Sequence, residues 1–348
     1  MKVLICVNNS LRFCPYANFY INLCQKEKID FCVMYPDRAR LRDNYNFEVI
    51  RYEWNEKENG VFQLLKYREF ALQHIEHNHY DYILALTTGT AVLLAPALLK
   101  RNQKYLVDIR DYTREYNIIY YFIEKKVINR AECVVVSSPD FREFLPKREY
   151  IDIFNSSEII CTSDKVNNDV FPIRIVYVGT IAYPHQCEKL MNLVEQDERF
   201  LFDLYGNDLN GSKIENYIKT NKLTRSVYHG IYQSAEKASI IRKADILFNA
   251  YGNNSPLLKY ALSNKLTDAA IYKKVVLTSP NTSMKSMLGD CSFAIDLDKE
   301  TTLDELYMWY ITLDVQKTQN YLNNLLTKII TTNNNTYSIV KDLLLSKN

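Results

Sequence analysis

Short apolar runs recur along the whole chain, separated by longer polar and amphipathic stretches, and this alternation constrains the fold more than any other feature. A few consecutive Val, Ile, Leu and Tyr residues without polar alternation suit a strand covered on both faces, and the amphipathic stretches between them supply the covering helices. The pattern predicts parallel sheets built from strand–helix units. In the first half the predicted strands are 2–7, 31–34, 48–51, 81–86, 104–109, 132–136 and 150–153; in the second they are 173–178, 200–205, 226–229, 245–249, 274–278 and 292–296. Residues 154–171 interrupt the pattern with Ser, Asn and Asp and read as a connection.

A chain of 348 residues exceeds what one hydrophobic core usually supports. The expectation is therefore an α/β protein with two tandem Rossmann-like, doubly wound domains and a deep cleft between them: an N-terminal domain over 1–155, a linker over 156–171, a second domain over 172–315, and C-terminal helices over 316–348 that pack back on the first domain. The polar run Thr331 to Asn335 is expected to separate two of those helices. A net charge of +2 provides no basic excess for nucleic acid. The eight cysteines form no Cys-x-x-Cys pair and read as reduced and buried. No run approaches the roughly 18 apolar residues of a membrane span, and Met1 to Val7 is too short for a signal peptide. The expected location is cytoplasmic.

Doubly wound sheets bind ligands at the carboxyl ends of their strands. Neither domain carries Gly-x-Gly-x-x-Gly, and no Walker-type Gly-x-x-x-x-Gly-Lys-Ser/Thr is present. Nicotinamide, flavin and P-loop chemistry are disfavoured, and no cofactor is expected. What remains is a nucleotide held by helix ends and isolated side chains.

The second domain opens with Tyr177-Val178-Gly179-Thr180, a strand running into a glycine turn, and Pro184 suits the first turn of the following helix. Free N–H groups at such a helix start favour a phosphate, with His185 beside them and Lys189 one turn on. An ordinary strand-to-helix turn accounts for the same residues. Tyr205-Gly206 forms a second turn of this kind, and Asn249, Tyr251, Asn253 and Asn254 follow another strand as a polar loop. Further on, Ser263-Asn264-Lys265-Leu266-Thr267-Asp268 begins a helix ahead of the strand at Val275. Spacing of three puts Lys265 and Asp268 on one helical face, placed for the phosphate and the ribose of a single nucleotide. An exposed ion pair is the plainer alternative.

Together these segments resemble GT-B glycosyltransferases, most closely the retaining bacterial enzymes of family 4. The likeness rests on the Val178-Gly179 turn, on Tyr228-His229-Gly230, on Ala244-Asp245-Ile246-Leu247, on Asn264-Lys265-Leu266 with Asp268, and on Lys274-Val275-Val276. In the first domain it is carried by Asp108-Ile109-Arg110-Asp111-Tyr112. The sequence departs from the family pattern where two glutamates are usual: Tyr260 and Asp268 stand there. Asn8, Asn9 and Ser10 replace the glycine-rich first loop, and Thr180 replaces the usual arginine.

The resemblance implies transfer of a sugar from a nucleotide-diphosphate sugar to a glycan or lipid-linked acceptor, in bacterial surface polysaccharide biosynthesis, with retention and without a metal. On that reading Gly179, Thr180, His185, Lys189, Tyr205, Gly206, Asn249, Tyr251, Asn254, Asn264, Lys265 and Asp268 bind the donor, and Asn9 and Ser10 lie on the acceptor side. Asp111, with Arg110, orients or deprotonates the acceptor hydroxyl; Asp108 and Glu115 are alternatives for that role. A nucleotide-sugar epimerase of the same shape and a non-catalytic nucleotide- or carbohydrate-binding protein are the competing readings.

Two clusters stand outside this scheme. His74, His77 and His79 end a predicted helix near Asp81, where the dipole favours histidine, and a structural role outweighs a metal site. Tyr112, Tyr116, Tyr120, Tyr121 and Phe122, with Lys125, Lys126 and Arg130, suit the interfacial layer of a membrane. Core packing of the tyrosines is the plainer reading, and peripheral membrane contact is the alternative.

Overall fold

The computed structural model describes residues 1–155 and 162–346. Residues 156–161, the start of the expected linker, lie outside them. The chain divides into two compact units, Met1–Ser157 with Thr331–Asn348, and Glu158–Ile330.

The first unit holds a seven-stranded sheet of β1 (Lys2–Cys6), β2 (Asp30–Asp37), β3 (Glu48–Glu53), β4 (Tyr82–Leu86), β5 (Lys104–Ile109), β6 (Cys133–Val136) and β7 (Ile151–Asp152). Its order is β3-β2-β1-β4-β5-β6-β7, and every pairing is parallel. The second unit holds β8 (Ile173–Val178), β9 (Phe200–Tyr205), β10 (Ser226–Gly230), β11 (Ile246–Asn249), β12 (Val275–Thr278) and β13 (Ser292–Ala294), in the order β10-β9-β8-β11-β12-β13 and again all parallel. Both are doubly wound sheets, and each expected strand forms, with its ends shifted by a few residues at most. The central strands β1, β4, β8 and β11 are buried almost throughout because helices cover both faces of each sheet.

The winding reverses between β1 and β4 in the first unit and between β8 and β11 in the second. Strand order of this kind opens a crevice beyond the carboxyl ends of those two strands, where doubly wound sheets take their ligands.

The C-terminal region corrects one expectation. Thr331 to Asn335 does not separate two helices, because Val315–Leu345 is a single helix. The run lacks Gly and Pro, and its polar side chains have acceptors and donors to meet. The Phe154 N–H donates to Asn333 Oδ1 at 2.8 Å and Asn333 Nδ2 donates to the Phe154 carbonyl at 3.1 Å. Thr336 Oγ1 donates to the Asp152 carbonyl at 2.6 Å. Val340 and Leu344, on the same helix, join the core of the first unit.

Candidate functional site

Gly179 ends β8 at the reversal point of the second unit, with φ +123°, a region closed to residues bearing a Cβ. Gly206 ends the neighbouring β9, and a Cβ there would lie 1.8 Å from the Gly179 carbonyl oxygen. The two turns therefore touch backbone to backbone, and glycine at 206 is what permits it. The Gly179 N–H donates to the Tyr205 carbonyl at 3.0 Å, and Tyr228 OH donates to the Gly206 carbonyl at 2.9 Å, fixing both loops. The helix Pro184–Glu195 follows with no side-chain cap; Pro184 has no N–H, and the Gln186 and Cys187 N–H groups donate to the Tyr183 carbonyl at 3.2 and 3.4 Å, which leaves the His185 N–H as the first-turn donor for a ligand.

Lys265 begins the helix Lys265–Tyr272, and its Nζ lies 4.0 Å from the Cβ position of Gly179. The side chain crosses the reversal point to reach the glycine turn. It is 7% exposed, and its ammonium faces the rings of Tyr177 at 4.8 Å and Tyr251 at 5.4 Å. Tyr183 stacks on Tyr251 at 5.2 Å and backs the wall that Tyr177 and Tyr251 form. Ring faces offset part of the desolvation of a buried cation but do not replace a counter-ion. Burial accordingly lowers the Lys265 pKa to about 8; Asp268 opposes that shift and Lys237 reinforces it. Asp268, also buried, takes its ion pair from Lys237 at 2.8 Å, so the expected Lys265–Asp268 couple is in fact a line of three charges.

Asn249, at the end of β11, accepts from the Ser263 hydroxyl at 2.7 Å, and that hydroxyl accepts from the Lys265 N–H at 3.2 Å. Asn249 thus sets the entry angle of the lysine helix. The loop after it is tied by Gly252 N–H to Ser279 Oγ at 2.7 Å and by Asn253 Nδ2 to the Pro280 carbonyl at 2.9 Å. Asn254 and Asn264 are exposed, as is Thr180.

Other expected donor-side residues have partners of their own. Lys189 is ion-paired with Asp298, which also accepts from Gln186. His185 is largely exposed, 3.4 Å from Glu188. Tyr205 stacks face to face on His229 at 4.1 Å, and His229 in turn contacts Asp203 at 3.1 Å.

In the first unit, Arg110 is buried and paired with Asp108, not Asp111, and it donates to Asn155 Oδ1 at 2.6 Å. Residues two apart in extended chain share a face, so the alternation of β5, carried just past its end at Ile109, puts Arg110 on the Asp108 side. Asp108 is thereby committed to the core. Asp111 is solvent-exposed, and desolvation by its surroundings raises its carboxyl above the ordinary value against the pull of Arg110. Ser10 is buried: its hydroxyl donates to Asp37 Oδ1 at 3.0 Å and accepts from the Ala39 N–H at 2.9 Å, pinning the loop after β2. Asn9 Oδ1 accepts from the Ser10 N–H.

His74 bonds Tyr80 OH at 2.7 Å and His77 bonds the Gln73 carbonyl at 2.7 Å. Among the described residues no cluster of three or more His, Cys, Asp or Glu is disposed to hold a metal. Among the described residues no helix is long and apolar enough to cross a membrane. Tyr177, Tyr183 and Lys237 were not anticipated; only the position of Tyr177 beside the Gly179 turn hinted at a role.

No protein-family model and no curated protein matches the sequence. Solved structures do match over essentially the whole chain. Anabaena HepE, solved in complex with UDP and glucose, aligns with TM-score 0.71 at 15% identity, covering 98% of this chain and 99% of its own. Sucrose-phosphate synthase from Thermosynechococcus elongatus aligns with TM-score 0.73 at 12% identity over 100% of both chains. A Listeria monocytogenes protein assigned as a UDP-N-acetylglucosamine 2-epimerase aligns with TM-score 0.63 at 11% identity, covering 100% and 97%. The fold is GT-B. At these identities the likeness concerns the fold, and the chemistry must be argued from this chain's own residues.

Proposed function

We propose that the chain is a glycosyltransferase that binds a nucleotide-diphosphate sugar in its second unit and transfers the sugar to a glycan or lipid-linked acceptor. The observation that carries this reading is the Lys265 ammonium: buried, walled by tyrosine rings, and set against the Gly179 turn at the reversal point of the sheet. A buried cation without a carboxylate of its own is stabilised by an anion supplied from outside. A diphosphate supplies it. As the glycosidic bond breaks, charge grows on that leaving group, where Lys265 and the His185 N–H at the start of the helix Pro184–Glu195 meet it. Asp268 accepts from the ribose hydroxyls. Lys189 would exchange Asp298 for the ligand or remain outside the site.

On the acceptor side we assign Asp111 as the group that orients or deprotonates the incoming hydroxyl, because Asp108 is sealed by Arg110. Asp111 is open to an incoming hydroxyl, and a carboxyl whose pKa is raised is a better proton acceptor than an ordinary one. The family resemblance adds retention by front-side attack, independence of a metal, and a place in surface polysaccharide biosynthesis.

The test is a thermal-shift series with nucleoside diphosphates and nucleotide sugars, UDP and UDP-glucose first. A ligand at about 100 times its Kd stabilises the fold by roughly 2.7 kcal/mol. A flat melt across the series removes the reading. If a nucleotide binds, donor consumption without any acceptor favours an epimerase, and binding without turnover favours a non-catalytic protein. Sugar transfer that is lost in Asp111→Asn supports the assignment made here.

A further inference from the structure

The reversal point of the first unit holds a cavity of about 750 Å³, lined entirely by residues of that unit. Asn8, after β1, and Gly89, after β4, lie on its wall, so it occupies the crevice where doubly wound sheets take ligands. Four cations line it: Arg38, Arg68, Arg114 and Lys126. Not one carboxylate is among the lining residues, and among the described residues none of the four cations forms a salt bridge. Arg38 is the most telling. Its guanidinium stacks on Trp54 at 4.6 Å, and its buried Nε has no hydrogen-bond acceptor.

Most of the remaining wall is apolar, including Leu64, Val92, Leu93, Pro96, Phe122 and Ile123, and Asn8, Thr113 and Tyr120 add its uncharged polar groups. Beside it the helix Ile118–Arg130 exposes Ile118 by 82%, Ile119 by 69% and Phe122 by 57%, and Phe62 and Leu65 are exposed on the helix Gly60–His77. The expected packing of this aromatic segment into the core therefore holds only for part of it: Tyr112 packs on Phe144, but Tyr116 is 76% exposed. Behind the wall Glu115 accepts from the lining Thr113 hydroxyl at 3.2 Å, and burial raises its carboxyl and that of Glu124 beside it, which limits the negative charge there.

We infer that this cavity binds a phosphate ester carrying a hydrocarbon chain, the phosphate meeting the four cations and the chain lying along the apolar wall. Unpaired cations alone would suit any phosphorylated sugar. A sugar ring, however, needs polar partners for its hydroxyls, and this wall is mostly hydrocarbon. An amphiphile satisfies both halves. The inference rests on the transferase reading for its meaning, since it makes the acceptor lipid-linked, but the site can be tested alone.

The probes are alkyl phosphates of increasing chain length, held below their micelle concentrations and titrated by calorimetry and by the fluorescence of Trp54 in a Trp309→Phe background. Inorganic phosphate, the matching alcohols and zwitterionic phospholipid vesicles are the comparisons. Affinity is expected to rise about fourfold per methylene buried. Decyl phosphate should bind at least tenfold more tightly than decanol or inorganic phosphate. Arg68→Gln with Arg114→Gln should weaken it tenfold or more, with Lys126→Gln as an independent exposed variant, while the UDP-induced melting shift stays unchanged. Equal binding of decanol or of inorganic phosphate, binding to vesicles without binding of monomeric alkyl phosphate, or indifference to all three substitutions would each overturn the inference. A missing UDP shift with intact amphiphile binding would instead count against the transferase reading alone.

Discussion

Each unit buries a cation near the reversal point of its sheet, and the two are held differently. Arg110 in the first unit has a carboxylate against it and an amide oxygen beyond; Lys265 in the second has ring faces and a glycine turn. The difference teaches which buried charge belongs to the fold and which awaits a ligand. A buried ion pair is complete, and breaking it leaves an uncompensated charge worth about 3–5 kcal/mol of stability. Arg110→Met should therefore lower the unfolding free energy by about that amount, read by urea denaturation, and leave nucleotide affinity in the second unit unchanged. A fold indifferent to this substitution would erase the contrast.

Lys265→Met should act in the opposite sense. A lysine whose folded pKa is about 8, below its ordinary value of 10.5, is favoured by folding in its neutral form. Stability from this group is full above the unfolded pKa and is lost as pH falls through about 8, so at pH 7 the charged lysine opposes folding by roughly 3 kcal/mol. Removing it should raise the melting temperature at pH 7 and bring little gain near pH 10.5. The same substitution should weaken nucleoside diphosphate binding by about 10- to 100-fold, the value of a charge-assisted hydrogen bond. In the unsubstituted protein that affinity should decline above about pH 8 as the ammonium deprotonates. A melt that falls on substitution, with binding intact, would make Lys265 structural after all.

The sequence carried these two regions unequally. The strands were legible because each is a continuous apolar run of a few residues with polar boundaries, and a sheet covered on both faces leaves no other place for it. The Gly179 turn and the lysine helix were legible as local patterns, but the aromatic wall of Lys265 was not, since Tyr177 comes from β8 and Tyr251 from the loop after β11. Lys237 is equally remote from Asp268 in sequence, and no spacing announces the pair. Arg110 turns away from its neighbour Asp111 because the two-residue period of an extended chain puts it on the Asp108 face. The continuous C-terminal helix was hidden because Asn and Thr discourage helices in isolation, and here tertiary hydrogen bonds to 152–154 outweigh that preference.

A third buried charge sharpens the contrast within the first unit. Glu124 is 1% exposed, and burial, reinforced by Glu115, raises its pKa to about 9. A carboxyl raised in the folded state contributes full stability below its unfolded pKa, near 4.5, and that contribution is lost as pH rises through about 9. Glu124→Gln keeps the shape of the neutral acid and cannot ionise in the unfolded chain. It should raise the urea midpoint at pH 8, with the advantage fading toward pH 5. Equal urea midpoints at both pH values would show that the two carboxyls do not share their burden in this way.

The smallest effect tests the line of three charges around Lys265. Lys237 is partly exposed, so its ion pair with Asp268 contributes less than about 1 kcal/mol to stability. Its influence should appear in the titration of its neighbour instead. Lys237 lowers the Lys265 pKa, so Lys237→Met should move the pH at which nucleotide affinity begins to decline upward from about 8. Asp268, released from its partner, would then draw the Lys265 ammonium toward itself and away from the incoming diphosphate, and affinity at pH 7 should drop a few-fold. Both changes come from one substitution and differ in sign: a wider pH range of binding and a weaker plateau. A downward shift of the titration would mean that Lys237 acts on the ligand directly rather than through Asp268.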